Sequence, residues 1–539
     1  MKKIIEWVSD NILFVLTLFL LVFIPLYPKI PLLDVRNTWV YVRAEDFVVV
    51  FTLLIWLALL FRKKITLKTP LTIPILVYWI IGAIATIHGI VLLFPTMANV
   101  FANVSYLAYV RHIEYMSLFF IAYSAMRDKN FLKYAIAVLV LTLLAVALYG
   151  IGQKFAGFPA YLTMNEEFAK GIPIRLSSLS RVPSTFAGHY DFAAYLVLVI
   201  SILSSLFFAF RNRLIKLGLA MAIFLGGIVL FWTVSRVSFV VLFIALFFVL
   251  LFVKRKLLFV FIPGVLLLAI LFFIFQPSIF ARFGSTVRKT DVLVDAQTGN
   301  AVGNVKYVPF SEFKDKRIGQ SFVKDLGEVQ HTMRGGKIDE ILDLDATPTG
   351  EPLKFPAEVP VVTASNISTG ENLPQGTGYI NLSLSPVVKR LGNFFYELDP
   401  DEEASLSAEI VILHGNFIVK RASAYDLSFT TRFQGEWPRT LDVFAKNVFL
   451  GSGYGSVSLA VDNNYLRMLG ETGLLGLASF FGILLTIGIY IKKILPEVRN
   501  KVVKNFALGY AAGVIGFAFN ATLIDVFEAS KIAFSLWIL

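Results

Sequence analysis

The residues of this sequence that are best suited to chemistry are arginines set among polar or aromatic neighbours. Arg236 stands in Thr-Val-Ser-Arg between two long apolar runs, and Arg432 stands in Thr-Arg-Phe-Gln-Gly-Glu-Trp. A guanidinium group binds phosphate oxygens through two parallel hydrogen bonds. The pattern indicates an anionic ligand, although an arginine at a membrane surface can also extend to lipid headgroups.

A second set of functional groups lies in the segment Arg181-Val-Pro-Ser-Thr-Phe-Ala-Gly-His-Tyr-Asp. It supplies a cation, the hydroxyls of Ser184 and Thr185, the imidazole of His189 and the carboxylate of Asp191. These groups could bind phosphate or the hydroxyls of a sugar. The alternative is an ordinary helix start, with Ser184 or Asp191 near the cap.

A carboxylate in a suitable place for acid–base chemistry is Asp462, in the segment Asp-Asn-Asn-Tyr-Leu that is followed by Glu471-Thr-Gly-Leu-Leu-Gly. A carboxylate near the end of a membrane span could act as a general base. Asp462 could also cap the helix that follows, and both roles are compatible.

Other kinds of site are excluded or not indicated. The chain has no cysteine, which excludes disulfides, thiolate catalysis and thiolate zinc sites. The remaining histidines lack the spacing of a metal site, and we interpret two Asp-x-Asp sequences as solvated loop carboxylates: His88, His331, His414, Asp343–Asp345 and Asp399–Asp401. Arg111 and Glu114 are three residues apart in an apolar run, and we expect them to pair on one helix face.

These residues must be positioned by a membrane protein. Of the 539 residues, 57% are hydrophobic and 16% are charged, against about 25% charged in an ordinary soluble domain. Apolar runs of about 20 residues predict eleven spans, near 11–28, 46–61, 71–94, 105–125, 131–151, 190–210, 215–233, 237–253, 257–276, 466–491 and 503–523. A twelfth candidate, Ala529–Leu539, is too short to cross alone.

The basic residues predict the orientation of these spans. Alternate connections hold 20 lysines and arginines, so we expect the N-terminus and these connections to be cytoplasmic. The large 277–445 segment then lies on the extracytoplasmic side. It has 22 acidic and 17 basic residues, although the whole chain has a net charge of +12.

The 277–445 segment divides the chain into membrane parts 1–276 and 446–539 and an inserted domain. Turn residues separate its short β-prone runs, which predicts a mainly β domain. These runs are Val292–Val294, Val359–Val362, Tyr379–Leu384, Glu409–Leu413 and Phe417–Val419. We therefore predict an all-α polytopic membrane protein of eleven or twelve transmembrane helices with an inserted, mainly β extracytoplasmic domain.

Four segments resemble the O-antigen ligase and O-antigen polymerase superfamily, bacterial polytopic glycosyltransferases of GT-C-like architecture. Arg181–Tyr195 is similar to R-x-x-x-T-F-x-N-x-N, and Thr233–Arg236 is similar to T-x-S-R-x-x-x-L, with Val240 in place of the leucine. Tyr149–Gln153 resembles the end of the family's fifth span. Asn447–Gly455 with Asp462–Gly476 resembles P-x-x-G-x-G and H-N-x-Y-L-x-x-L-x-E-x-G-x-x-G, the most specific match.

The resemblance implies transfer of a glycan from undecaprenyl pyrophosphate to a sugar hydroxyl at the extracytoplasmic face of the bacterial inner membrane. The acceptor is a glycan or a lipid-linked glycan, and the reaction needs no metal, cofactor or nucleic acid. Asp462, Arg236 and Arg432 are then the expected catalytic residues. The expected substrate-binding residues are Arg181, Thr185, His189, Asn463, Tyr465 and Glu471.

Two departures from the family pattern bear on the reaction. Asp462 stands where the ligases have a histidine, and an aspartate with an ordinary pKa of about 3.9 is a weaker base. The Asp-Asn sequence at this position resembles polymerase-type members more than lipid A core ligases. The large insert exceeds what a simple ligase requires and could bind the acceptor or a partner protein. A transporter or flippase of lipid-linked glycans and a protein O-oligosaccharyltransferase remain alternatives.

Overall fold

The chain folds as two compact units, Met1–Leu271 with Gly435–Leu539, and Phe272–Gln434. The second unit ends before residue 445, and the helix that follows belongs to the first unit. The computed structural model describes residues 7, 10–97, 99–126, 131–163, 166–177, 180–275, 287–295, 301–303, 377–381, 387–398, 409–426, 432, 436–457 and 461–539.

The first unit is built from α-helices that follow the apolar runs. Its helices are α1 (Ile12–Leu26), α2 (Ala44–Phe61), α3 (Thr72–His88), α4 (Ala102–Ala125), α5 (Phe131–Phe155), α6 (Glu166–Ala169), α7 (His189–Phe207), α8 (Arg213–Trp232), α9 (Arg236–Val253), α10 (Leu258–Phe275, whose last turn enters the second unit), α11 (Trp437–Lys446), α12 (Asn464–Ile494), α13 (Lys501–Asn520) and α14 (Ser530–Ile538).

A helix occupies each of the eleven predicted spans. Eight apolar helices in the described residues are long enough to cross a membrane: α2, α3 with the turns that extend it to Thr96, α5, α7, α8, α9, α12 and α13. A helix satisfies its backbone hydrogen bonds internally, as a lipid environment requires. The prediction of a multi-pass helical membrane protein is therefore confirmed, while α1 has only 15 residues and α14 only nine.

Helix α7 forms the centre of the first unit. Its apolar residues are buried on almost all sides, and α5, α8, α9, α13 and α14 pack around it. Glycines of α13 permit this close approach, because a Cβ at Gly509 would lie 2.7 Å from the Cα of Ile202. Gly513 follows four residues later and meets Leu198, so small residues line this face, as is common between membrane helices.

The structure describes seven strands. Outside the helices of the first unit, β1 (Pro31–Leu33) and β2 (Val42–Arg43) pair in an antiparallel manner. The second unit contains a five-stranded antiparallel sheet in the order β4-β3-β7-β5, with β6 also paired to β7. These strands are β3 (Val287–Asp295), β4 (Ala301–Gly303), β5 (Thr377–Asn381), β6 (Val387–Leu398) and β7 (Glu409–Asp426).

Two of the β-prone runs merge in the structure. Glu409–Leu413 and Phe417–Val419 form parts of the single strand β7, Val292–Val294 lies in β3, and β5 covers the start of Tyr379–Leu384. The run Val359–Val362 lies outside the described residues, as do His331, Asp343–Asp345 and the Asp399–Asp401 sequence.

Candidate functional site

The Arg181 segment is fixed to the ends of two helices. The backbone N–H of Val182 donates to the carbonyl of Trp232 at the end of α8, at 3.1 Å. Gln153 at the end of α5 donates to the carbonyl of Ser184 at 2.8 Å. The resemblance segment at Tyr149–Gln153 thus holds the Arg181 segment in place, and the Arg181 segment reaches the turn that carries Arg236.

Arg181 and His189 are paired in the structure. Nη1 of the exposed Arg181 lies 3.0 Å from Nε2 of His189, whose side chain is buried at the start of α7. An arginine can only donate, so the imidazole accepts through an unprotonated Nε2. His189 therefore orients the Arg181 guanidinium.

Thr185 binds the protein itself in this structure. Its hydroxyl donates to the carbonyl of Pro25 near the end of α1, and its side chain is buried. Its own carbonyl accepts from the ammonium of Lys531 at 2.7 Å. Thr185 thereby joins the Arg181 segment to α1 and to α14.

The turn from Thr233 to Arg236 is shaped by its own hydroxyl groups. Thr233 Oγ1 donates to the carbonyl of Leu230 at 2.6 Å and lies 3.3 Å from the N–H of Ser235. Val234 has a φ of +55°, which is unusual for a β-branched residue and costs about 1–3 kcal/mol. Both hydroxyl residues of the turn are buried, while Arg236 is exposed.

Arg236 is the first residue of α9. The free N–H groups and the dipole at a helix N-terminus attract anions, and a basic side chain there opposes the dipole. An arginine at this position adds a second source of positive charge at the same place. The arrangement is suited to an anionic ligand and offers no advantage to the helix alone.

A polar contact links α9 to the segment that contains Asp462. Ser235 donates to Ser238 at 3.0 Å, and Ser238 donates to the amide oxygen of Asn520 at the end of α13, at 3.3 Å. The next residue, Ala521, accepts from the N–H of Asn464 at 2.9 Å. The segments of Arg181, Arg236 and Asp462 are therefore connected at one end of the helices.

Asn463 is the N-cap residue of α12 in the structure. The Asn463 side chain accepts from the N–H groups of Tyr465 and Leu466, both at 3.0 Å. The alternative that Asp462 caps this helix is therefore wrong by one residue. Asp462 instead precedes the cap, with a φ of +52° and a half-buried side chain.

Three residues that we expected to bind substrate also hold the Asp462 segment together. Asn463 supplies the cap, and the Tyr465 hydroxyl donates to the carbonyl of Ala518 at 2.6 Å. Glu471 is buried, accepts from the N–H of Gly455 at 3.0 Å and lies 3.5 Å from Arg467 Nη1. Their contacts with the protein account for their residue types.

Glycines join the loop before Asp462 to an interruption in α12. Gly473 has a φ of +65°, and a Cβ there would lie 2.3 Å from the carbonyl oxygen of Phe449. The carbonyls of Gly470 and Glu471 accept from the N–H groups of Ser452 and Gly453, each at 2.8 Å. The two glycine-rich parts of the fourth resemblance segment therefore pack directly on each other.

Sequence reasoning missed the connecting segment, residues 521–531, which follows α13 and includes the first two residues of α14. Asp525 accepts from Arg467 Nη2 at 2.8 Å, and Glu528 lies 2.9 Å from His112 Nε2. Lys531 donates to the carbonyl of Thr185, and Ser530 contacts Lys29 and Glu45. Several ionisable residues beside an apolar run were the available signal.

The charges around this segment are paired within the protein. Lys29 is buried against Glu45, and burial lowers the pKa of Lys29 although Glu45 opposes that effect. Burial would raise the pKa of the Glu528 carboxyl, but His112 and Arg467 hold it below its ordinary value.

The predicted pair of Arg111 and Glu114 has a different partner in the structure. Arg111 binds Asp46 of α2 at 3.0 Å, so its ion pair is with a neighbouring helix and not with Glu114.

Arg432 belongs to the second unit, whereas the other eight predicted site residues belong to the first. Its side chain is half-buried. In the described residues, no group of three or more histidine, aspartate or glutamate side chains has an arrangement that could hold a metal ion.

Comparison with known proteins does not assign this chain to a family. No protein-family model matches it, and no curated protein is similar to it in sequence.

Proposed function

We propose that the protein is a membrane glycosyltransferase that moves a glycan from undecaprenyl pyrophosphate to a sugar hydroxyl. One observation supports this proposal above the others. Hydrogen bonds join the segments of Arg181, Arg236 and Asp462 at one end of the helices, although these residues are far apart in the sequence. Two arginines and a carboxylate at the same end of these helices suit a pyrophosphate leaving group and a hydroxyl acceptor.

In the proposed reaction, Arg236 and the N-terminus of α9 bind the pyrophosphate. Asp462 takes the proton of the acceptor hydroxyl, whose oxygen forms a bond to the anomeric carbon of the donor glycan. The bond from that carbon to the pyrophosphate oxygen breaks, and undecaprenyl pyrophosphate leaves with the electron pair. Positive charge near the departing oxygens stabilises the transition state. Hydrogen-bond donors do this most effectively when they are already oriented and water is excluded from the site.

Arg181 is the second cation of the proposed site, and His189 orients it for contact with the donor. Arg432, whose catalytic role the resemblance implies, belongs to the second unit, and that role stays a prediction. We propose that the second unit is the inserted β domain, that it binds the acceptor glycan, and that it lies on the extracytoplasmic side of the bacterial inner membrane. The aspartate at position 462 favours a polymerase over a lipid A core ligase.

The test is incubation of the purified full-length protein with an undecaprenyl-pyrophosphate oligosaccharide. A ladder of longer products with release of undecaprenyl pyrophosphate is the expected result. A single transfer to an added lipid A core or peptide acceptor would instead indicate a ligase or a protein O-oligosaccharyltransferase. Movement of the intact donor across a vesicle membrane without release of pyrophosphate would overturn the proposal in favour of a flippase.

A further inference from the structure

Asp525 concentrates three hydrogen bonds on one carboxylate oxygen. Its Oδ2 accepts from the N–H of Val461 at 3.2 Å, from the N–H of Asp462 at 3.3 Å and from Arg467 Nη2 at 2.8 Å. Asp525 comes from the connecting segment, whereas its donors come from the turn before α12 and from α12 itself. It therefore fixes this turn to the helix that follows.

The turn needs such support because of its backbone conformation. Asp462 has a φ of +52°, which is uncommon for a residue with a side chain and costs about 1–3 kcal/mol. The Trp437 indole donates to the carbonyl of Val461 at 3.2 Å, so α11 holds the opposite side of the same peptide. With this peptide held from both sides, the direction of the Cα–Cβ bond of Asp462 is fixed.

We propose that Asp525 is the positioning residue of Asp462, which it holds where the carboxylate can accept the proton of the acceptor hydroxyl. This inference rests on the proposed function. Arg467 has a second carboxylate partner in Glu471, at 3.5 Å, so pairing with Arg467 alone does not require Asp525. The two bonds to the N–H groups of Val461 and Asp462 are its specific contribution.

The test compares Asp525→Asn and Asp525→Ala with Glu528→Gln in the full-length protein, with kcat normalised to folded enzyme. Glu528 is a matched control, since it is another paired carboxylate in the connecting segment but does not contact the Asp462 turn. We expect kcat to fall about 10-fold in Asp525→Asn, whose amide oxygen can still accept, and about 100-fold in Asp525→Ala. The KM for donor and acceptor should change less than about 3-fold, because the binding groups remain.

A second measurement reports on the turn directly. Hydrogen exchange at the N–H groups of Val461 and Asp462 should accelerate at least about 10-fold in Asp525→Ala and remain unchanged in Glu528→Gln. An Asp525→Ala enzyme with normal kcat, or with loss of activity equal to that of Glu528→Gln, would overturn the inference alone. A wild-type protein that transfers no glycan would overturn the proposed function and the inference together.

Discussion

The guanidinium of Arg181 donates to the imidazole of His189 across 3.0 Å, and the ring nitrogen must be unprotonated to accept. His189 is buried at the start of α7, the helix around which the first unit packs. The exposed arginine is thus attached to a helix that is packed on almost all sides. A cation that is held in this way loses little conformational entropy when an anion binds.

This pair gives a first prediction. His189→Phe removes the acceptor and should raise the donor KM about 10-fold, equivalent to about 1.4 kcal/mol of binding. His189→Gln retains an acceptor oxygen and should change KM less. Steady-state kinetics with varied donor concentration measure both. Equal KM values in the wild-type and His189→Phe proteins would show that the orientation of Arg181 does not matter for the donor.

A second prediction concerns the arginine at the start of α9. Arg236→Gln should lower kcat about 10²–10³-fold, because a charged donor to the leaving pyrophosphate is lost. Arg213→Gln is the matched control, since Arg213 is also the exposed first residue of an apolar helix, α8. It should leave transfer unchanged. A similar loss in both variants would indicate a general effect of charge at helix ends.

A third prediction concerns the glycine at the interruption of α12. Gly473→Ala should destabilise the protein by at least about 2 kcal/mol, because a Cβ at a φ of +65° would also collide with the Phe449 carbonyl. Gly482 lies in the same helix and a Cβ there meets nothing within 4 Å. Gly482→Ala should stabilise by up to about 1 kcal/mol. Thermal unfolding in detergent compares them, and equal Tm values would contradict the packing of the two glycine-rich parts.

A fourth prediction follows from the depressed pKa of Glu528. The folded protein binds this proton less readily than the unfolded chain, so Glu528 contributes stability above its ordinary pKa of 4.5. That contribution should disappear as the pH falls below 4.5 through the lower folded value. Glu528→Gln should therefore lower Tm at pH 7 and show a smaller further decrease in acid. Equal Tm values for the wild-type and Glu528→Gln proteins at both pH values would contradict this prediction.

The sequence predicted those features that depend on neighbouring residues. Apolar runs located the helices because a membrane helix requires a length of apolar residues. The place of Arg236 at the start of α9 agrees with its position between two such runs. The alternative that Asp462 caps α12 is one residue too early, because aspartate and asparagine are both good caps and the sequence alone does not distinguish Asp462 from Asn463.

Features that depend on tertiary contacts were not predictable in this way. Arg111 appeared to have a partner in Glu114, but the structure offers Asp46 on a neighbouring helix. Asp525 and Glu528 carried no motif, and their partners Arg467 and His112 lie in other elements. One sequence gives no indication of such pairings, since the spacing between partners is set by the packing of helices.

The connecting segment has a consequence for engineering the protein. Residues 521–531 donate to or accept from α1, α2, α4, α12, the Arg181 segment and the turn before α12, and each contact has a fixed place along the segment. One inserted residue would displace every later contact by one position. A tag or reporter that is tolerated in exposed connections such as 496–500 should therefore prevent assembly when it is placed here.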